Sequence, residues 1–201
     1  MNAKKDLAAT ILDTALKLAE ERSWEQLRLQ DIAHELNINL DDIRVHYAQK
    51  DDLVEAWFDR ADSRMLQAAV SLELAQPDMA ARLHLIIMAW LDTLATHRKV
   101  TTDMLWYKLE PAHVHLQIQG ILRISRTVQW FREAADQDST HLHRILEEIG
   151  LTSIYVATFV YWMKDTSEQQ HRTREFLANR LHDAQNCAIR LWRQSSPAQI
   201  D

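Results

Sequence analysis

Glycine is nearly missing from this chain. Only Gly120 and Gly150 occur in 201 residues, where ordinary usage of about 7% would supply roughly 14. Proline is almost as scarce, at Pro77, Pro111 and Pro197, and cysteine occurs once, as Cys187. Hairpin turns and the loops that cradle nucleotide phosphates need residues at ease with positive φ, so an all-β fold and the glycine-loop nucleotide folds are excluded. One cysteine excludes an intramolecular disulfide and the cysteine-rich zinc modules, and it fits a reducing compartment. Near the end of a helical pattern, Cys187 reads as a packing residue.

Long apolar runs are missing too. The longest uncharged run, Ile149 to Met163, is 15 residues, short of the roughly 20 that span a bilayer, and it reads as a buried helix. The N-terminus has no unbroken apolar core for secretion, and Asp6, Asp13 and Glu20 argue against a transit peptide, which leaves the cytoplasm as the expected location. Net charge is −6. Residues 1 to 65 carry most of it, with nine Lys/Arg against fourteen Asp/Glu.

What is present is helical periodicity. Leu7, Ile11, Leu12, Ala15, Leu18 and Ala19 predict a first helix ending near Glu21-Arg22-Ser23, and Trp24 anchors the turn after it. Leu29 to Leu36 predicts a second helix with Ile32, Ala33 and Leu36 inward, stopped at Asn37 by a left-handed residue. Asn39 caps a third, Leu40 to Tyr47, with Leu40, Ile43 and Tyr47 on one face. Two short helices about a tight turn suggest helix-turn-helix. A longer helix runs from Lys50 through Trp57 toward Leu74. Five more are expected: Asp78 to Thr96, Met104 to Lys108, Ala112 to Ala135, Thr140 to Lys164, and Glu168 to about Arg193, the last opened by Ser167 with Gln170 as a capping box. The expected fold is all-α, with about nine helices and no strand.

The pattern Ile11-Leu12-Asp13-x-Ala15-x-x-Leu18, Asp31-Ile32-Ala33, Ile43 and Tyr47-x-x-Lys50-x-x-Leu53 resembles the DNA-binding domain of the TetR family. That resemblance implies a third helix in the major groove and a second whose N-terminus meets phosphate, with Arg28, Asn39, Arg44, His46 and Lys50 as DNA contacts. At the contact positions, Arg28 replaces the usual Ser/Thr cap, Leu40 a common Lys, Asp42 a Thr and Arg44 an aromatic. The outer face of the third helix is expected to show Asp41, Asp42, Arg44, Val45 and His46. A unit charge about 10 Å from a phosphate is repelled by roughly 0.4 kcal/mol even in water, and an acidic domain has little counterion-release affinity. DNA is therefore disfavoured as a partner.

A second resemblance lies toward the C-terminus, in Arg60-Ala61-Asp62-x-Arg64-Met65-Leu66, Leu109-x-Pro111, Ala134-Ala135, Tyr155-x-Ala157-Thr158-x-x-Tyr161-Trp162-Met163-x-Asp165-x-Ser167, Phe176-Leu177-x-x-Arg180 and Asp183. These residues are similar to the lipid-binding accessory family of ubiquinone biosynthesis, typified by the ninth Coq protein, itself a TetR-fold homodimer. That family ends in a long amphipathic membrane helix, whereas this chain has only Ile189, Leu191 and Trp192 before its tail, so peripheral membrane attachment by that route is not expected.

His113/His115 and His141/His143 are each two apart, which on a helix turns their rings roughly 200° away from each other. No metal site and no cofactor are expected. No nucleophile elbow, H-E-x-x-H or phosphate loop occurs, so the chain reads as non-enzymatic. The aromatic and methionine content is the positive clue. Ile87, Trp90, Met104, Leu105, Trp106, Trp130, Tyr155, Phe159 and Trp162 are candidates to face the interior of a bundle around an apolar ligand. Gly150, Ser153 and Ala157, beside Ile154 and Tyr161, offer a close-approach face for a second copy.

The organisation expected from these signals is a helix-turn-helix domain over 1–50, a helical ligand-binding and dimerisation domain over 51–194 and a disordered tail over 195–201. The preferred reading is a homodimer that binds an isoprenoid-like or acyl ligand and whose small domain has drifted from DNA recognition. The alternative is a ligand-responsive transcriptional regulator that binds operator DNA.

Overall fold

The computed structural model describes residues 2–72, 78–109, 114–135 and 141–195. Among these there are nine α-helices and no strand: α1 Asn2–Glu21, α2 Leu29–Leu36, α3 Leu40–Arg44, α4 Lys50–Leu72, α5 Met79–Ala95, α6 Arg98–Leu109, α7 Val114–Ala134, α8 His141–Lys164 and α9 His171–Ser195. A 3-10 turn, Glu168–Gln170, precedes α9. Helix α3 is shorter than its periodicity suggested, because the chain turns at Val45 and His46. The expected tail lies, past Ser195, outside the described residues.

Contacts group the chain into two compact units, one formed by Met1–Ser63 and Asp92–Leu122, the other by Arg64–Leu91 and Arg123–Asp201. In the first unit, α1 buries Ile11, Leu12, Ala15, Leu16 and Ala19 on one stripe, and Trp24 and Leu27 fill the turn behind it. Each such Leu or Ile contributes about 1.5–3 kcal/mol by leaving water. The Tyr47 hydroxyl donates to the Ala8 carbonyl at 2.9 Å, fixing the end of the helix-turn-helix to α1. Further along, the Trp57 indole N–H donates to the Thr101 hydroxyl, which itself donates to the His97 carbonyl.

In the second unit, Leu83, Ile86, Ile87, Trp90 and Leu91 of α5, Val128 and Phe131 of α7, Leu151, Tyr155 and Trp162 of α8, and Leu177 and Leu181 of α9 form the core. Arg82 donates to the Ala135 carbonyl, satisfying the end of α7. The uncharged run of α8 is buried on one side only: Ile149 is 61% exposed, Val160 47% and Tyr161 39%. Cys187 is exposed rather than packed.

The α8–α9 corner replaces the expected Ser167/Gln170 capping box. Gln169 and Gln170 both take left-handed φ, 49° and 58°, and only the backbone N–H of Gln170 reaches back, to the Ser167 carbonyl at 3.1 Å. The Gln170 side-chain oxygen instead accepts the buried Trp162 indole N–H. The Ser167 hydroxyl accepts the Arg172 N–H at 3.1 Å, and the Asp165 carboxylate shares the capping role, accepting the N–H groups of Ser167 and Thr173 at 2.8 and 2.9 Å and the Thr173 hydroxyl at 2.6 Å. Burial opposes the charge, but these hydrogen bonds outweigh it and hold Asp165 well below the usual carboxylate range.

Candidate DNA-contacting and ligand-binding sites

The helix-turn-helix is built by local rules. Helix α2 ends at Asn37, whose φ and ψ of 53° and 45° are left-handed, and the Ile38 N–H returns to the Ala33 carbonyl at 3.0 Å. Asparagine tolerates this conformation, so the turn needs no glycine. Three carboxylates then set the starts of three successive helices. Asp31 accepts the Arg28 N–H, Asp42 the Asn39 N–H, both at 2.9 Å, and Asp52 those of Ala48 and Gln49. The Arg28 N–H holds Asp31 below its ordinary acid range. Each negative charge sits at a helix N-terminus, where the helix dipole favours it.

The face expected to repel DNA is thereby changed. Asp42 turns back on its own helix. Asp41 is occupied by Arg44, 3.0 Å away, with both side chains about three-quarters exposed at 74% and 73%. Leu40, expected on one face with the buried Ile43 and Tyr47, is 48% exposed and Val45 59%, so α3 offers apolar surface of the kind that contacts thymine methyl groups. Arg28, with its side chain 74% exposed, stands at the start of α2. Asn39 is exposed and His46 half-buried.

Lys50, expected among the DNA contacts, is committed elsewhere. Its ammonium donates to the carbonyls of Trp24 and Glu25 and lies 5.1 Å from the centre of the Trp24 ring. Burial pulls its pKa down. Lys50 thus pins the α1–α2 connection onto the start of α4.

In the second unit, four of the expected ligand residues meet in one aromatic cluster. Trp90 makes edge contacts with Tyr155 and Phe159, both at 5.5 Å, and Phe159 stacks on Trp162 at 5.6 Å. Phe131, which the sequence reading missed, joins through Trp90 and Tyr155. Its signal was the three-residue spacing from Val128 on the inner face of α7. Ile87 is buried in the same unit. Met104 and Leu105 belong to the first unit, where Met104 is buried and Leu105 half-buried. Trp106 and Trp130, expected to face inward, are exposed, by 63% and 42%. Each lies outside its helix's buried stripe, a position that side-chain size alone does not reveal.

On α8, Gly150, Ser153 and Ala157 are exposed, Ile154 is half-buried, and a Cβ at Gly150 would meet no atom within 4 Å. Tyr161 stacks face to face on Phe176 of α9 at 4.7 Å, with the Arg180 guanidinium 5.1 Å from the Phe176 ring centre. Among the described residues no group of three His, Cys, Asp or Glu side chains could hold a metal ion. The side chains of the His113/His115 and His141/His143 pairs lie outside the described set.

A solved TetR transcriptional regulator from Nitrosomonas europaea is 48% identical to this chain, over 89% of this chain and 98% of its own, with a TM-score of 0.80. The chain belongs to the TetR family. Within this TetR protein, residues 126–188 also match the COQ9 family. The stretch holds the end of α7, α8, the Asp165 corner and most of α9. A bacterial regulatory protein of the tetR family from Rhodococcus RHA1 shares 15% identity over 87% of this chain and 95% of its own, with a TM-score of 0.49, a likeness that decides nothing. No curated protein matches the chain.

Proposed function

We propose that the protein is a cytoplasmic, ligand-responsive transcriptional regulator that binds operator DNA as a homodimer and catalyses no reaction. The observation that carries this reading is the capping geometry of α2 and α3. The drifted-domain reading rested on the acidic charge of the small domain and on two aspartates facing phosphate, and of these Asp42 is instead bound to its own helix start while Asp41 is paired with Arg44. With Asp42 turned back, Arg28, Asn39, Leu40, Arg44 and Val45 present a face suited to the major groove and its phosphates. The 48% identity to a TetR transcriptional regulator supports the same choice. Among the described residues no single helix is long and apolar enough to cross a membrane.

The COQ9 likeness bears differently on the ligand. Trp162, Asp165 and Thr173, all within its span, build the α8–α9 corner, so those residues support a shared architecture rather than a shared lipid. The effector in this reading is an apolar small molecule held in the second unit near Trp90, Phe131 and Tyr155.

Fluorescence anisotropy with the DNA flanking the protein's own gene, at low and moderate salt, tests the proposal. Sequence-selective binding with a marked salt slope is expected. Equal affinity for unrelated duplexes at every salt concentration would return the drifted-domain reading to first place.

A further inference from the structure

Along α7, Arg123, Thr127 and Phe131 follow one another at four-residue spacing, which stacks their side chains on one helix face. All three are buried, at 8%, 0% and 0% exposure. The Phe131 ring meets Tyr155 at 5.3 Å and Trp90 at 6.3 Å. The face therefore passes from a cation, through a hydroxyl, to an aromatic cluster.

Thr127 is the anomaly. Its hydroxyl has no hydrogen-bond partner among the described residues, whereas Thr158 in the same unit donates to the carbonyl four residues before it at 2.7 Å. A buried hydroxyl without a partner is costly, and one that leaves the helix carbonyl unused is set for a group that comes from outside the fold. A buried guanidinium one turn away selects the sign of that group. Its planar fork matches a carboxylate.

We propose that this face of α7 binds an apolar carboxylate, with the acid group between the Arg123 guanidinium and the Thr127 hydroxyl and the hydrocarbon body against Phe131, Trp90 and Tyr155. The proposal rests on the effector reading above and names the effector's chemical class. Arg123 has interactions of its own within the protein, and the carboxylate joins or displaces them.

The test uses the full-length protein with decanoate and decanol as probes, followed by calorimetry and tryptophan fluorescence. Decanoate should bind saturably and at least about tenfold more tightly than decanol, a difference of roughly 1.4 kcal/mol. Thr127→Val should weaken decanoate several-fold without lowering Tm, because it removes a hydroxyl that the fold leaves unpaired. Arg123→Gln, where it folds, should erase the preference for the acid. Equal binding of decanol overturns the acid assignment while leaving an apolar effector in place. Binding of neither probe by protein that still binds its operator overturns both. Undiminished decanoate affinity in Thr127→Val, with a lowered Tm, would make that hydroxyl structural and overturn the site.

Discussion

The carboxylate of Asp42 accepts the backbone N–H of Asn39 at 2.9 Å, while its neighbour Asp41 turns outward to Arg44. Adjacent aspartates on one short helix therefore have opposite tasks, and their substitutions should move DNA affinity in opposite directions. Asp41→Asn removes a charge near phosphate and releases Arg44, so operator binding should tighten about two- to fivefold at low salt. Asp42→Ala removes the cap that sets the start of α3, so binding should weaken and Tm fall by about 2 °C or more. Anisotropy titrations of both variants check this. Tighter binding by Asp42→Ala would show that its carboxylate faces DNA after all.

Lys50 and Arg44 are both basic residues of the helix-turn-helix region, but Lys50 is bound to backbone carbonyls, whereas Arg44 is exposed beside Asp41 and, in the proposed reading, meets phosphate. Arg44→Ala should flatten the dependence of log affinity on log salt by about one unit. Lys50→Gln should leave that slope unchanged and lower Tm, because the carbonyls of Trp24 and Glu25 lose the charged donor long enough to reach both. A reduced slope for Lys50→Gln would place its ammonium on DNA.

Asp165 makes stability sensitive to acid. Its carboxyl titrates well below the ordinary value in the folded chain and near 3.9 in the unfolded one, so its contribution is present in full above about pH 4 to 5 and is lost as pH falls toward the folded value. Asp165→Asn should cost about 2 kcal/mol near pH 7, since the amide cannot accept at both of the positions where N–H groups point. The variant's Tm should also depend less on pH between 5 and 3 than that of the parent. Parallel Tm profiles would place the acid sensitivity elsewhere.

Much of the fold was legible because its signals are local. Ile11, Ala15 and Leu18 repeat at helical spacing, Asn37 suits a left-handed stop, and Asn39 opens a helix; none of these depends on distant chain. The structure departs from the sequence pattern where a side chain has two physically sound uses. Asp42 can serve as a bare negative charge or as a helix cap, and a lysine at position 50 can meet phosphate or pin backbone carbonyls. For Lys50 the outcome depends on where the loop at Trp24 and Glu25 lies, which tertiary contacts set; for Asp42 it depends on the Asn39 N–H three residues back, a local partner that competes with solvent and phosphate. Trp106 and Trp130 misled for a related reason: size predicts burial on average, whereas exposure is fixed by angular position on a helix whose neighbours the sequence does not name. The three-residue spacing of Ser167 and Gln170 does not disclose the left-handed φ that carries the Gln170 amide to Trp162.

The exposed side of α8 makes the last prediction. Ile149, Gly150, Ser153, Ala157, Val160 and Tyr161 form one stripe, and a stripe with this much apolar surface is costly to leave in water. Gly150, Ser153 and Ala157 keep it shallow enough for another helix to approach closely, and Ile149 and Val160 supply the area that would be removed from water. Each methylene so covered contributes about 0.8 kcal/mol. A second copy presenting the same stripe about a twofold axis would cover it without any new sequence, since an isologous interface uses one patch twice. Ala157→Arg places a long charged side chain at the middle of that seam, and the position is exposed in the single chain, so the subunit itself should fold with its Tm little changed at low concentration. Light scattering coupled to size-exclusion chromatography should then report a dimer for the parent and a monomer for Ala157→Arg, with operator affinity lost alongside, because two half-sites require two joined domains. A dimer that survives Ala157→Arg would move the interface off this face of α8.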